Sequence, residues 1–212
     1  MSDIFQEVDE DLRRDQLFKL WRRYGSYVIG AAIAIVIATA AYVAWQSYRE
    51  KQLMAEGDAF IQALLLRSAG QSHQATLAFA ALADQHHDGY GTLARFNEAA
   101  LMAEHGETAD AVKIYDQIAA AASDRSLRDL ATLCSASLSL DTAEPADLKA
   151  KLDPIAAPDN PFRHSARELS ALLALRNGDA ATAKELFKEL AADQSAPSGV
   201  RARAEEMLQS LG

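Results

Sequence analysis

Between Arg23 and Arg49 the chain carries no charged side chain. The stretch from Tyr24 to Tyr48 has at its centre the run Val28-Ile29-Gly30-Ala31-Ala32-Ile33-Ala34-Ile35-Val36-Ile37-Ala38, which is almost wholly apolar. The residues from Tyr27 to Trp45, at a helical rise of about 1.5 Å each, reach roughly 28 Å, close to the ~30 Å hydrocarbon core of a bilayer. Backbone inside a bilayer has to satisfy its own hydrogen bonds, and a lone segment does so only as a helix. The pattern predicts one membrane-spanning helix over residues 24–48.

The flanks carry an independent signal. Trp21, Tyr24 and Tyr27 stand at one end and Tyr42, Trp45 and Tyr48 at the other, as amphipathic rings do in the headgroup zone. Arg13, Arg14, Lys19, Arg22 and Arg23 precede the span, whereas only Arg49, Lys51 and Arg67 follow it closely. Orientation depends on Lys and Arg rather than on net charge, so the acidic residues between Asp3 and Asp15 do not cancel this bias. The expected order is a cytoplasmic amphipathic tail (1–23), the span (24–48) and a domain across the membrane (49–212). Ala38-Thr39-Ala40 has the small-residue form of a signal-peptidase site, but the long acidic segment before the run is unlike a secretory n-region. Within the span, Gly30, Ala34 and Ala38 fall at every fourth position, the small-xxx-small spacing that lets two membrane helices approach closely.

Beyond Tyr48 there are 16 Lys plus Arg against 24 Asp plus Glu, a net charge of 16 − 24 = −8. An acidic surface argues against nucleic acid and anionic lipid as partners of this domain. Cys134 is the sole cysteine, so the fold holds without an intramolecular disulfide, and its helical setting makes it a packing residue.

The domain is alanine-rich and helical, with brief breaks, and it repeats. Gly70 is followed by Ala75, Phe79 and Leu82; Gly106 by Ala111, Tyr115 and Ile118; Gly178 by Ala183, Phe187 and Leu190. Leu148, Leu152 and Ile155 form a copy without the glycine. Taking Ala75, Ala111, Leu148 and Ala183 as markers, the intervals are 36, 37 and 35 residues. A period of this size means stacked helical hairpins. The glycine ends the first helix of each pair, the alanine admits the second helix against it, and the aromatic fills the space between hairpins. The spacing predicts helices near 50–69, 72–86, 90–104, 108–122, 126–139, 146–156, 162–176, 180–193 and 198–211. The last serves as a cap, and Pro154 shortens or kinks the sixth.

These units resemble tetratricopeptide repeats. The class is therefore all-α, with a single N-terminal transmembrane helix followed by a tetratricopeptide-like α-solenoid of about four helical hairpins and a C-terminal capping helix. The order of tail, span and repeats, with Asp3-Ile4-Phe5-Gln6-Glu7-Val8-Asp9-Glu10 leading through Leu20-Trp21-Arg22-Arg23-Tyr24-Gly25 into the apolar run, resembles the bacterial YfgM-like family, an ancillary subunit of the Sec translocon. The resemblance implies a bacterial inner-membrane protein. Its repeats would lie in the periplasm beside the translocon, with the translocon, periplasmic chaperones or secreted clients as partners.

The residues that chemistry would need are scattered. Adjacent side chains of His86-His87-Asp88 point about 100° apart on a helix and cannot both hold one ion. No GxSxG, HExxH or paired-cysteine spacing occurs, and no Lys follows Gly30 to complete a phosphate loop. No enzyme activity, metal or cofactor is expected. Hairpin arrays instead present a concave surface lined by their first helices, where Phe60, Tyr90, Phe96, Asn97, Arg128, Arg163 and Arg167 are the candidate groove residues. The sequence leaves open a scaffold for another envelope machine, such as one for cell-wall synthesis or a respiratory complex, and a regulator acting through the tail. It also leaves the oligomeric state open.

Overall fold

The computed structural model describes residues 3–86 and 89–211, with side chains from Trp21 onward, so the amphipathic face of the tail lies outside the described side chains, as do His87 and Asp88. Among the described residues the chain is wholly helical. Its elements are α1 (Asp3–Ser68), α2 (Ser72–Gln85), α3 (Gly89–Glu104), α4 (Thr108–Ala121), α5 (Arg125–Leu138), α6 (Pro145–Leu152), α7 (Arg163–Arg176), α8 (Ala180–Ala192) and α9 (Ser198–Ser210). It divides into two compact units, Met1–Ala55 and Glu56–Gly212, and α1 contributes to both. The expected tail helix, span and first repeat helix are thus one element without a break.

In the first unit the side chains from Trp21 to Tyr48 are exposed, except at Gly25, which lies under the Trp21 indole. Ile35, Val36 and Ile37 are each about two-thirds exposed. The polar groups here are satisfied locally: Thr39 Oγ1 donates to the Ile35 carbonyl at 2.8 Å, and Gln52 Nε2 donates to the Tyr48 hydroxyl at 3.0 Å. The Arg49 guanidinium sits 5.1 Å from the centre of the Trp45 ring.

The second unit is built from one repeated turn. Gly70, Gly106 and Gly178 have φ of 73°, 85° and 79°, the left-handed region that a β-carbon resists. At each, the glycine N–H donates three residues back and the next N–H five residues back: Gly70 to Arg67 and Gln71 to Leu66, Gly106 to Ala103 and Glu107 to Met102, Gly178 to Leu175 and Asp179 to Ala174. These bonds satisfy the last carbonyls of the first helix and reverse the chain.

Four core clusters follow, each combining one hairpin with the first helix of the next. Ala75, Ala111 and Ala183 are fully buried, Phe79, Tyr115 and Phe187 almost so, and the degenerate set Leu148, Leu152 and Ile155 is buried with them. Each later first helix enters the preceding cluster through a fully buried alanine, namely Ala94, Ala131, Ala166 or Ala204. Seven residues on, Leu101, Leu138, Leu173 or Leu211 completes the contact. A buried side chain of Leu or Phe size contributes about 1.5–3 kcal/mol, so the array is stable only as a stack.

The sixth helix is shortened, as Pro154 predicts. It ends at Leu152 rather than near residue 156, because the Pro154 ring cannot be accommodated in a continuing helix. Ile155 still reaches the core from the turn that follows. The α5–α6 turn has no glycine to close it. Instead the Arg176 guanidinium donates from α7 to the carbonyls of Leu140 and Ala143.

Candidate protein-binding surface

The seven groove residues picked from the sequence do not converge. Phe60 and Tyr90 are half-buried in the first cluster, with ring centres 5.7 Å apart, and Phe60 meets Phe79 edge-on at 5.5 Å. The Phe96 ring lies 5.8 Å from that of Tyr115, whose hydroxyl donates to the Phe96 carbonyl at 3.4 Å. The three aromatics are therefore tied into packing between hairpins.

The three arginines are held at joints. Arg128 donates to the carbonyls of Ala122 and Ser123 at 2.9 and 2.8 Å, closing the end of α4. Arg163 donates to Ser195 Oγ at 3.0 Å, and Arg167 to the Ala156 carbonyl at 3.3 Å. Asn97 belongs to a polar strip across α1 and α3. Its Oδ1 accepts from Arg67 at 3.2 Å, and Arg67 also pairs with Glu104.

Among the described residues, open clefts between hairpins include two of note. One, of about 280 Å³, lies between the start of α3 and the end of α4, with Gly91, Thr92, Arg95, Ile118 and Leu127 among its walls. The other, of about 360 Å³, lies between α6, α7 and α8, walled by Ala146, Lys149, Leu173, Asp179 and Leu186. One turn beyond Arg95 on α3, burial lifts the Glu98 carboxyl above its ordinary value, with Arg95 opposing the rise and Asp84 adding to it.

Ser195, His164 and Asp193 come together where α7 meets the α8–α9 turn. The His164 ring is buried, with Nδ1 3.5 Å from Asp193 Oδ2 and Nε2 3.5 Å from Ser195 Oγ, both long for hydrogen bonds. The Ser195 hydroxyl donates to Asp193 Oδ1 at 2.6 Å. Its proton is thus directed at the carboxylate and not at the imidazole, so the arrangement is a joint rather than an activated nucleophile. His86 Nδ1 is 2.9 Å from Glu56 Oε1, a second cross-helix tie. Cys134 is half-buried beside Tyr115. Burial raises the thiol while Tyr115 lowers it, and the Tyr115 phenol, raised first by burial and then by Cys134, is pushed up to about 12. Among the described residues no group of three or more His, Cys, Asp or Glu is placed to hold a metal.

The model of the family described as tetratricopeptide repeat-like domain matches residues 19–211. The chain belongs to this family. Solved tetratricopeptide structures agree in fold. One is a tetratricopeptide repeat protein from Parabacteroides merdae, 18% identical with a TM-score of 0.57, covering 71% of this chain. The chain spans 58% of that protein's length. Two structures of nearly identical TPR-like repeats from Podosopora anserina give 16% identity and TM-scores of 0.58 and 0.56, covering 73% of this chain and 83% of theirs. No curated protein matches the sequence. The tetratricopeptide repeat-like fold is a protein-interaction scaffold, and domains of this kind generally bind proteins.

Proposed function

We propose that the chain is a membrane-anchored scaffold whose tetratricopeptide-like array faces the periplasm of a bacterium and acts as an ancillary subunit of the Sec translocon, holding chaperones or emerging clients. The observation that carries the anchor is the uncharged run from Tyr24 to Tyr48. In the structure it is a helix whose side chains are exposed throughout apart from Gly25, which leaves an apolar surface that water would not tolerate. Aromatic residues at both ends and the excess of Arg and Lys before it support an N-terminus in the cytoplasm. The resemblance of tail, span and repeats to the YfgM-like family supports the translocon as the site of action.

Two measurements test the reading. Alkaline phosphatase, which is active only outside the cytoplasm, is expected to be active when fused after the last residue, and an inactive fusion would overturn the topology. Photo-crosslinking from Leu93, the exposed leucine of α3, in intact cells is expected to give an adduct with the translocon or a periplasmic chaperone. Adducts only with cell-wall or respiratory components would move the scaffold to another machine.

A further inference from the structure

Each first helix after α1 packs onto the hairpin before it, through an alanine and, seven residues later, a leucine. Shifted back by one repeat of 36 residues, Ala94 and Leu101 of α3 fall on Asp58 and Leu65 of α1, and Asn97 falls on Ile61. Among the described residues no earlier hairpin packs on this one, and the same face is open: Ile61 and Leu65 are each 54% exposed, and Asp58, one turn before Ile61, is exposed as well. The neighbouring helix adds to the apolar surface. Leu77 of α2 is 58% exposed, where the equivalent places in α4 and α8 carry Lys113 and Glu185.

A stack normally closes such an end with a polar face, as α9 does here with exposed Glu205 and Glu206. The α1 face keeps the packing register of an internal repeat. It differs in one respect: a carboxylate stands where the four later helices have a buried alanine. That carboxylate also selects the occupant. Two copies anchored in one membrane would set their α1 helices parallel, so a pair across this face would bring Asp58 toward Asp58, and a copy stacking end to end would have to offer α9, whose exposed Glu205 and Glu206 repel it. A helix from another protein, apolar along one side and bearing a cation opposite Asp58, meets both the grease and the charge.

We propose that Asp58, Ile61 and Leu65 form a docking face for an apolar helix of a partner protein that presents Lys or Arg to Asp58, completing the array as a missing hairpin would. The inference goes beyond the scaffold reading and holds on whichever side of the membrane the array lies.

Fluorescent amphipathic peptides of about 20 residues, identical except for Lys or Glu at the centre of the apolar side, can be titrated against the full chain held in amphipol, with empty amphipol subtracted. The Lys peptide is expected to bind about five-fold more tightly than the Glu peptide, the scale of one partly exposed ion pair. Asp58→Lys is expected to reverse that order, and Ile61→Asp with Leu65→Asp to abolish binding of both. The exposed positions leave helicity and melting of these variants unchanged, which is checked by circular dichroism. Binding that survives the double variant, or a Lys preference that survives Asp58→Lys, would overturn the proposal. So would a dimer in sedimentation that the double variant dissolves, since the face would then belong to a second copy.

Discussion

A β-carbon at Gly91 would run into the carbonyl of His86, where α3 crosses the end of α2. The atom met is backbone rather than the end of a flexible side chain, so Gly91→Ala is expected to cost about 1–3 kcal/mol and to lower the melting temperature by several degrees in a circular-dichroism scan. His164 makes a second prediction at this scale. Burial, followed by Arg163 and Arg167, holds its imidazolium form back, and Asp193 opposes them only in part, so the folded protein has a pKa below the ordinary value of about 6.5. The fold therefore keeps the neutral ring. Its contribution is complete above the unfolded value and is lost as pH falls through and below it, because the unfolded chain takes up the proton first. Asp193, held below its ordinary value mainly by bonds from Ser195, acts in a lower window. Urea midpoints measured between pH 7 and 5 are expected to fall less steeply for His164→Gln than for the natural chain, and equal slopes would remove His164 as the cause. Neither Gly91 nor His164 stood out in the sequence, since each matters through an atom on another element.

Among the elements, α6 is the weak link. Its eight residues follow a turn without glycine, and Pro154 stops it within two residues of its last helical position. Arg176, reaching from α7 to the Leu140 and Ala143 carbonyls, does for this turn what the left-handed glycines do for the others. Replacing it with Met keeps the stem and removes the donors, leaving two carbonyls without their charged partner. The loss is expected to be about 1–3 kcal/mol, with hydrogen exchange accelerating first in residues 139–152. Nearby, Asn160 ties the α6–α7 link to α5, its Nδ2 donating to Asp129 at 2.7 Å and its Oδ1 accepting from the Phe162 N–H at 2.9 Å. The end of α6 could be read from Pro154 in the sequence. The clamp could not, because nothing local distinguishes Arg176 from any other basic residue near a helix end.

In the molecule as a whole, each cluster touches only its neighbours, so damage should stay local. Phe187→Ala empties the centre of the last cluster and is expected to cost about 3–5 kcal/mol there. Hydrogen exchange should then loosen α8 and α9 while α2, α3 and the start of α4 keep their protection. Uniform loosening would mean that the array folds as one cooperative body. The sequence determined the all-helical tetratricopeptide-like class, the period, the hinge glycines and nearly every helix boundary of the repeats, because helical periodicity and turn conformation are properties of neighbouring residues. It also marked Phe79, Tyr115 and Phe187, whose spacing from those glycines places them in the clusters. It did not determine which half-buried residues would face a groove. Phe60, Tyr90 and Phe96 went to packing between hairpins, and Arg128, Arg163 and Arg167 to carbonyls and a hydroxyl at the joints. Those outcomes, and the open face at Ile61 and Leu65, were decided by the tertiary structure, because they depend on how helices some 36 residues apart settle against one another, and no local pattern records that register.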